Sequence, residues 1–370
     1  MSAGVTALRH PRGVSRIAVG EGALQALADA LGDWVAGRTV LLVTTPRVWD
    51  LHGGDVAALL APAAACHRLE VPEGEAAKTL DTAESLWRRM LAAGGKRDSR
   101  VVGFGGGSVA DLAGFAAGCF LRGVACAQLP TTLLAQVDAA IGGKTGIDLP
   151  QGKNSVGLFH HPEYVVGEAR WLKTLPEQEV RSGLMEVVKA GFVLDAGLFG
   201  RLEEDLERLL AGDPAALGPV AAAAARAKVG VVERDPEEAG ERMLLNFGHT
   251  LGHALEAASG YRGLRHGEAV AYGMLFALRL AVPRGLPQAD AARLVSLLRR
   301  CRLPPLPEVA GDALLELMWR DKKAREEGQR WVLPARAGEG RIATDVSEQE
   351  VAGRLAGFLA DPWGAPGAGL

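Results

Sequence analysis

Cysteine is scarce in this chain of 370 residues: Cys66, Cys119, Cys126 and Cys301 are scattered, with no Cys-x-x-Cys pair. That pattern excludes a zinc ribbon and a disulfide scaffold, and it reads as buried free thiols in a reducing compartment. Aromatic residues are only 5% of the chain while Gly and Ala are abundant, a bias that a GC-rich genome accounts for without any functional meaning. Neither sign of charge prevails, since 41 Lys and Arg stand against 44 Asp and Glu for a formal net charge of -3. Nothing global therefore points to nucleic acid or to an anionic membrane as partner. The N-terminus lacks an apolar signal segment and no apolar run reads as long enough to span a bilayer, so the expected location is the cytoplasm. What is present is a 48% hydrophobic content, enough for a large core and two domains.

The first half alternates strand and helix patterns. Strand candidates are 16–19, 39–43, 68–71, 101–104 and 125–129, with helical patterns at 23–31 and 79–92 between them. This alternation predicts a Rossmann-like α/β domain with a largely parallel sheet, over residues 1–175, whose ligands bind at the carboxyl ends of the strands. From Pro176 helical periodicity dominates, predicting an all-α, metal-binding domain over 176–360. Helices are expected at 221–228, 243–258, 268–280 and 290–298, with a return to extended structure at 330–333. The tail 361–370 is expected to fray, and the cleft between the halves is the default site.

Histidine is also rare, with eight in the chain, yet His249, His253 and His266 fall in one short segment. His249 and His253 are four apart and share a helix face, and His266 follows a Gly-rich turn that can fold it back toward them. Two or three converging imidazoles suggest a divalent metal, zinc first. Arg242, Asn246, His249 and His253 follow helical spacing and read as one polar stripe. Glu186 and Lys189, three apart, would usually be an exposed ion pair. Their neighbours Leu184, Met185, Val187 and Val188 are apolar nearly all round, so the helix looks buried, and a buried Glu needs a partner such as a metal.

In the first half, 101–111 runs from a strand through Gly105-Gly106-Gly107 into a helix, a turn that lets backbone amides approach a pyrophosphate. The spacing is not the dinucleotide fingerprint, because Ser108 holds its last position, and a structural turn explains it as readily. The loop 72–78 alone reads as solvated. Asp138, Lys144, Lys153 and Asn154 lie among glycines and apolar residues, a setting that suits lysines facing a phosphate or carboxylate. Asp321-Lys322-Lys323 by itself reads as a charged surface turn.

Taken together and in order, these motifs resemble those of the 3-dehydroquinate synthases, among the sugar-phosphate cyclases. The likeness runs from about Pro72 to Leu333. It includes the 105–111 turn, Leu121-Arg122-Gly123, the run 130–144, Gly152-Lys153-Asn154, Glu186 with Lys189, the run 246–253, His266-Gly267-Glu268 and Asp321-Lys322-Lys323. The resemblance implies zinc or cobalt on Glu186, His249 and His266, which moves His253 to substrate binding or proton transfer. It implies NAD contacts from Glu73, Gly74, Glu75 and Lys78, from Gly107, Ser108, Val109, Ala110 and Asp111, from Thr131 and Thr132, from Lys144 and Lys153, and from Trp171, Leu172, Lys173 and Thr174. It places Asp138, Lys144, Asn154, Lys189, Lys228, Arg242, Asn246, His253 and Lys322 or Lys323 at the substrate. It implies a homodimer in which Arg122 reaches the phosphate of the neighbouring subunit's substrate.

The implied substrate is a phosphorylated sugar acid, 3-deoxy-D-arabino-heptulosonate 7-phosphate, and the implied product is 3-dehydroquinate, in the shikimate pathway to chorismate and the aromatic amino acids. NAD would oxidise the C5 hydroxyl transiently; phosphate elimination, re-reduction and aldol closure follow. One departure is Thr44-Thr45-Pro46, where the family commonly places an acidic residue and Asn near the adenosine ribose. Ser108 and Ala110 replace residues more often Val or Gly, and both are small. The competing readings are a sister cyclase acting on another sugar phosphate, a metal-dependent polyol dehydrogenase, and a non-catalytic metabolite-binding regulator.

Overall fold

Val5–His10 (β1) and Gly13–Gly20 (β2) open the chain as an antiparallel hairpin in the computed structural model, which describes residues 3–261, 263–319 and 330–365. Strand and helix then alternate through α1 (Ala23–Val35), β3 (Thr39–Thr44), α2 (Pro46–Leu60), β4 (Ala65–Glu70), α3 (Leu80–Ala92), β5 (Arg100–Gly105), α4 (Gly107–Cys119) and β6 (Cys126–Pro130). A second hairpin, β7 (Lys144–Leu149) and β8 (Gly152–Phe159), precedes β9 (Tyr164–Glu168). Helices follow: α5 (Glu177–Leu194), α6 (Ala196–Leu210), α7 (Pro214–Arg234), α8 (His249–Ala258), α9 (His266–Ala281), α10 (Gln288–Arg300) and α11 (Gly311–Trp319). The hairpin β10 (Trp331–Arg336) and β11 (Glu339–Ala343) and the helix α12 (Glu348–Ala360) complete the described chain.

The main sheet has the order β1-β2-β9-β6-β5-β3-β4, and every pairing in it except β1–β2 is parallel. Its inner strands are apolar at nearly every position because helices cover both faces. The pleat sorts β3 accordingly: Leu41 and Val43 pack with α3 and α4 on one face, and Val40 and Leu42 pack with α1 and α2 on the other. All five expected strands are present. The sequence reading missed β1, the β7–β8 hairpin, β11, and β9, whose Tyr164-Val165-Val166-Gly167-Glu168 is too short for periodicity to type.

The chain forms two compact units, one of Met1–Glu179 with Gly212–Glu237, the other of Val180–Ala211 with Glu238–Leu370. The expected boundary after residue 175 is thus corrected. Helix α7 belongs to the first unit, where it packs on β1 and β2 and buries Leu217, Val220, Ala221, Ala224 and Ala225. Helical periodicity marks a buried face without saying which sheet or helix will bury it. The same helix corrects the expectation that no run could span a bilayer. It is 21 residues long with a mean hydropathy of 1.3, but 67% of its apolar window is buried inside the protein.

The second unit is helical, with α9 buried from Gly267 to Ala281. It is not all-α: the extended segment expected near Arg330 is β10, paired with β11, and Trp331 packs against Phe276 of α9. The tail is not frayed at its start. Arg279 donates to the Asp361 carbonyl, Arg299 donates to the Trp363 carbonyl at 3.1 Å, and the Trp363 ring meets Tyr272. Of the four thiols only Cys126 and Cys301 are buried; Cys66 and Cys119 are exposed, against expectation.

Candidate active site

In the first unit, four of the segments expected to hold a nucleotide leave the carboxyl edge of the main sheet, while Lys144 and Lys153 lie on the β7–β8 hairpin. Residues 73–78 follow β4, Gly107–Asp111 follow β5, Thr131-Thr132 follow β6, and 171–174 follow β9. Gly107 is the first residue of α4, so free backbone amides and the positive end of the helix face that edge. Gly74 sits at φ +66°, where the loop needs glycine. Some of the expected contacts are already committed. Trp171 and Leu172 are fully buried, and the Trp171 indole donates to Asp55 at 2.9 Å, so their side chains serve the core. Thr174 pairs with His52, and the Thr132 hydroxyl accepts from the Ala135 amide at 3.2 Å. Lys173 is exposed. At the departure after β3, Thr44 is buried and Thr45 caps α2, accepting from the Val48 amide with Pro46 as first helical residue.

Lys78 gathers several of these elements. Its buried ammonium donates to Asp111 at 2.9 Å, to Glu75 at 3.3 Å and to the Asn154 side chain, with Asp148 3.6 Å away. The Asn154 amide donates to Asp148 at 2.7 Å with φ at +52°, and Ser108 donates to Glu75 at 3.0 Å. The structure therefore joins Asn154, expected at the substrate, directly to Lys78, expected at the cofactor. Burial alone would lower the Lys78 pKa, but Asp111, Glu75 and Asp148 outweigh it and raise it. Burial pushes Asp111 up to about 6, with Lys78 opposing the shift.

Lys228 on α7 donates to both the backbone carbonyl and the carboxylate of Asp138, which lies in a π-helical turn spanning Ala135–Ala139. Lys144 at the start of β7 is exposed, and Lys153 on β8 is partly so. Arg122 is exposed too, in a turn where Leu121 and Arg122 hold φ at +50° and +70°.

In the second unit the helix expected over 243–258 is broken. A 3-10 turn spans Glu241–Asn246, Gly248 adopts φ +81°, and α8 begins at His249. Arg242 and Asn246 are therefore not in helical register with His249 and His253, and the single polar stripe is corrected. The break is forced by packing. A Cβ on Gly248 would stand 2.6 Å from the Val270 carbonyl oxygen, and one on Gly273 would overlap the Gly248 carbonyl. Bare backbone lets α8 and α9 approach closely enough to bring His249 beside His266, at a ring-centroid distance of 5.3 Å. Helix α5 is fastened to the start of α9: Arg181 donates to Glu268 at 2.9 Å and the Gly267 amide donates to Ser182 at 3.1 Å.

That frame brings three donors together. Nε2 of His266 lies 3.5 Å and Nε2 of His249 3.8 Å from Oε1 of Glu186, whose side chain is 1% exposed. Lys189, also buried, pairs with the other Glu186 oxygen. Nδ1 of His249 faces the Phe247 carbonyl at 3.2 Å and Nδ1 of His266 faces Glu256 at 3.1 Å. Neither the carbonyl nor the carboxylate has a proton to give, so each imidazole donates from Nδ1 and turns Nε2 toward Glu186. Two nitrogen lone pairs and a carboxylate oxygen then converge and need a cation among them, and a divalent metal fits this set. The exposed His253 has a ring nitrogen within 4.8 Å of those of His249 and His266, a further possible donor. Burial, reinforced by Lys189, holds the His249 pKa well below its usual value. Burial also acts to lower that of His266, but the hydrogen bonds to Glu186 and Glu256 and their negative charge prevail and raise it.

Arg242 is 1% exposed, and the Asn246 side chain donates to Glu238 at 2.8 Å. Lys322 and Lys323 lie outside the described residues. Three participants escaped the sequence reading: Asp148, Glu238 and Glu256. For Glu256 a signal existed, since it follows His249 and His253 at the i, i+4, i+7 spacing of one helical face.

The 3-dehydroquinate synthase N-terminal family model matches residues 68–182, and the 3-dehydroquinate synthase C-terminal model matches 183–324. A curated 3-dehydroquinate synthase from Symbiobacterium thermophilum is 48% identical over 319 residues, covering 85% of this chain and 89% of that protein. Among solved structures, the 2-epi-5-epi-valiolone synthase ValA from Streptomyces hygroscopicus subsp. jinggangensis 5008, with NAD+ and Zn2+ bound, has a TM-score of 0.84 at 30% identity, covering 97% of this chain and 99% of its own. A 2-deoxy-scyllo-inosose synthase complexed with carbaglucose-6-phosphate, NAD+ and Co2+ has a TM-score of 0.84 at 27% identity, covering 95% of this chain and 99% of its own.

Proposed function

The chain belongs to the 3-dehydroquinate synthase family, and on that premise we propose that it converts 3-deoxy-D-arabino-heptulosonate 7-phosphate into 3-dehydroquinate and phosphate. It would act as a phosphate-eliminating carbon–oxygen lyase of aromatic amino acid biosynthesis, as a cytoplasmic homodimer using NAD and zinc or cobalt. The observation that carries the reading is the convergence of two imidazole Nε2 atoms on the Glu186 carboxylate.

In this reading Glu186, His249 and His266 hold the divalent cation, and the carboxyl edge of the sheet holds the nucleotide. When bound, NAD supplies a reversible hydride acceptor at C5 and the cation supplies Lewis acidity at the attached oxygen. Lys189 keeps the second Glu186 oxygen neutralised, which leaves the first for the cation. Arg242 presents the planar fork that suits the substrate's carboxylate. Lys228, Lys144 and the partner's Arg122 would balance the substrate's phosphate and carboxylate charge, while Lys153 would face the nucleotide. Cations held in place before the reaction stabilise charge as it develops, with less reorganisation of solvent. His253, exposed beside the cluster, is placed to exchange a proton at its imidazole. The substrate's phosphate can take the C6 proton itself, so no further base is required of the chain.

The test is turnover by zinc-loaded protein with catalytic NAD+ and the heptulosonate phosphate, following phosphate and cyclic product. Many turnovers per NAD+ without accumulating NADH support the reading. Turnover only with sedoheptulose 7-phosphate or glucose 6-phosphate moves the chain to a sister cyclase. Steady NADH release from simple polyols makes it a dehydrogenase.

A further inference from the structure

We propose that Glu256 is a positioning residue for the metal: it fixes the tautomer and orientation of His266. The inference rests on the metal reading of Glu186, His249 and His266. Glu256 lies on α8, seven residues after His249, with its side chain 5% exposed. A carboxylate so buried is costly unless it meets a donor, and it meets Nδ1 of His266 at 3.1 Å. The two histidines are held differently. The Nδ1 of His249 faces a neutral carbonyl, whereas that of His266 faces a full negative charge. His266 is also the ligand that most needs holding. It is the first residue of α9, its side chain is 30% exposed, and it follows a turn. Its register is set by Arg181 and Ser182 gripping Glu268 and Gly267, but those contacts fix the helix and leave the ring free to rotate. Glu256 fixes the ring and delivers Nε2 to the cation. Its charge adds to that of Glu186, so the site takes a divalent ion with two carboxylates in reach of one imidazole.

Metal-ligand partners of this kind typically contribute 10–100-fold to affinity. The experiment compares wild type, Glu256→Gln and Glu256→Leu in the full chain, measuring zinc affinity by competition with a chromophoric chelator and the visible spectrum of the cobalt form. The amide can still accept from Nδ1 but carries no charge, so the expected order of affinity is wild type, then Gln, then Leu. Glu256→Leu should lose about 10–100-fold and show an altered cobalt spectrum. The melting temperature of the metal-free protein should change little while the rise on adding zinc shrinks, which a merely structural role would reverse. If Glu256→Leu does not fold, Glu256→Gln decides alone: a loss of about fivefold or more supports the proposal, a smaller one overturns it. Wild type with stoichiometric zinc and both variants within about twofold of it overturns this inference but not the metal site. Wild type that takes up no stoichiometric zinc overturns the metal reading and this inference with it.

Discussion

Lys78 and Asp111 form an ion pair of 2.9 Å beneath the surface of the first unit, with the Lys78 side chain only 3% exposed. One ammonium there serves Glu75, Asp111 and Asp148, which arrive from three different parts of the chain. It ties the loop after β4 to α4 and to the β7–β8 hairpin that carries Lys144, Lys153 and Asn154.

Removing that ammonium should expose the arrangement. Lys78→Met leaves the partly buried Asp111 and Asp148, 19% and 18% exposed, without that counter-charge and should cost about 3 kcal/mol. The pH dependence has a definite sign. Asp111 titrates near 6 when folded against 3.8 as its ordinary value, so its contribution favours folding at acid pH and is lost as pH rises through 6. Lys78 is raised, so its contribution is full below 10.5 and disappears only as pH climbs past that value. Wild type should therefore gain some stability between pH 7 and pH 5, and the variant, in which Lys78 no longer opposes the rise of Asp111, should gain more. Urea unfolding at the two pH values checks this, and equal losses at both would refute it.

Glu186→Gln should abolish tight zinc binding. The amide is a weak ligand, and Lys189 would remain buried without its carboxylate. Zinc at about a thousandfold excess over its Kd should stabilise wild type by about 4 kcal/mol and leave the variant unmoved. Thermal melts with and without zinc, together with metal content after dialysis, read both effects, and wild type stripped by chelator should lose its activity until zinc is restored.

Lys228 and Asp138 neutralise each other across α7 and the π turn. If both serve the substrate, an incoming anion must share Lys228 with Asp138. Lys228→Met should lower kcat/KM about 10–100-fold, the loss of one charge-assisted hydrogen bond. Added salt should weaken substrate binding less in the variant than in wild type. Unchanged kcat/KM would remove Lys228 from the site.

These expectations draw unequally on the sequence. The alternation of the first half was legible because inner strands of a covered parallel sheet are uniformly apolar and their helices amphipathic. The convergence of His249, His253 and His266 was legible because a rare residue type falls close together in sequence. The ownership of α7 was not, since a helix's apolar face does not name its partner. The stripe from Arg242 to His253 failed because Gly248 looks tolerable in a helix until the Val270 carbonyl is seen against it. Lys78 read as part of a solvated loop because its three carboxylates lie 3, 33 and 70 positions away in sequence, beyond any local pattern.

The close approach of α8 and α9 gives the sharpest test of how packing makes the site. Gly273 and Gly248 touch backbone to backbone, and a methyl on Gly273 would overlap the Gly248 carbonyl. Overpacking usually costs 1–3 kcal/mol because neighbours yield, but a carbonyl in a helix junction yields little, so Gly273→Ala should cost about 3 kcal/mol. It should also push His249 from His266 and weaken zinc binding. Gly353 is the control: it is exposed on α12, and a Cβ there would meet nothing within 4 Å. Gly353→Ala removes only the entropic penalty of a helical glycine and should stabilise by about 1 kcal/mol with zinc affinity unchanged. Melting temperatures and zinc titrations of the two variants should therefore move in opposite directions for stability and diverge for the metal. A Gly273→Ala protein that binds zinc as wild type does would show that the His249–His266 spacing is not set by this contact.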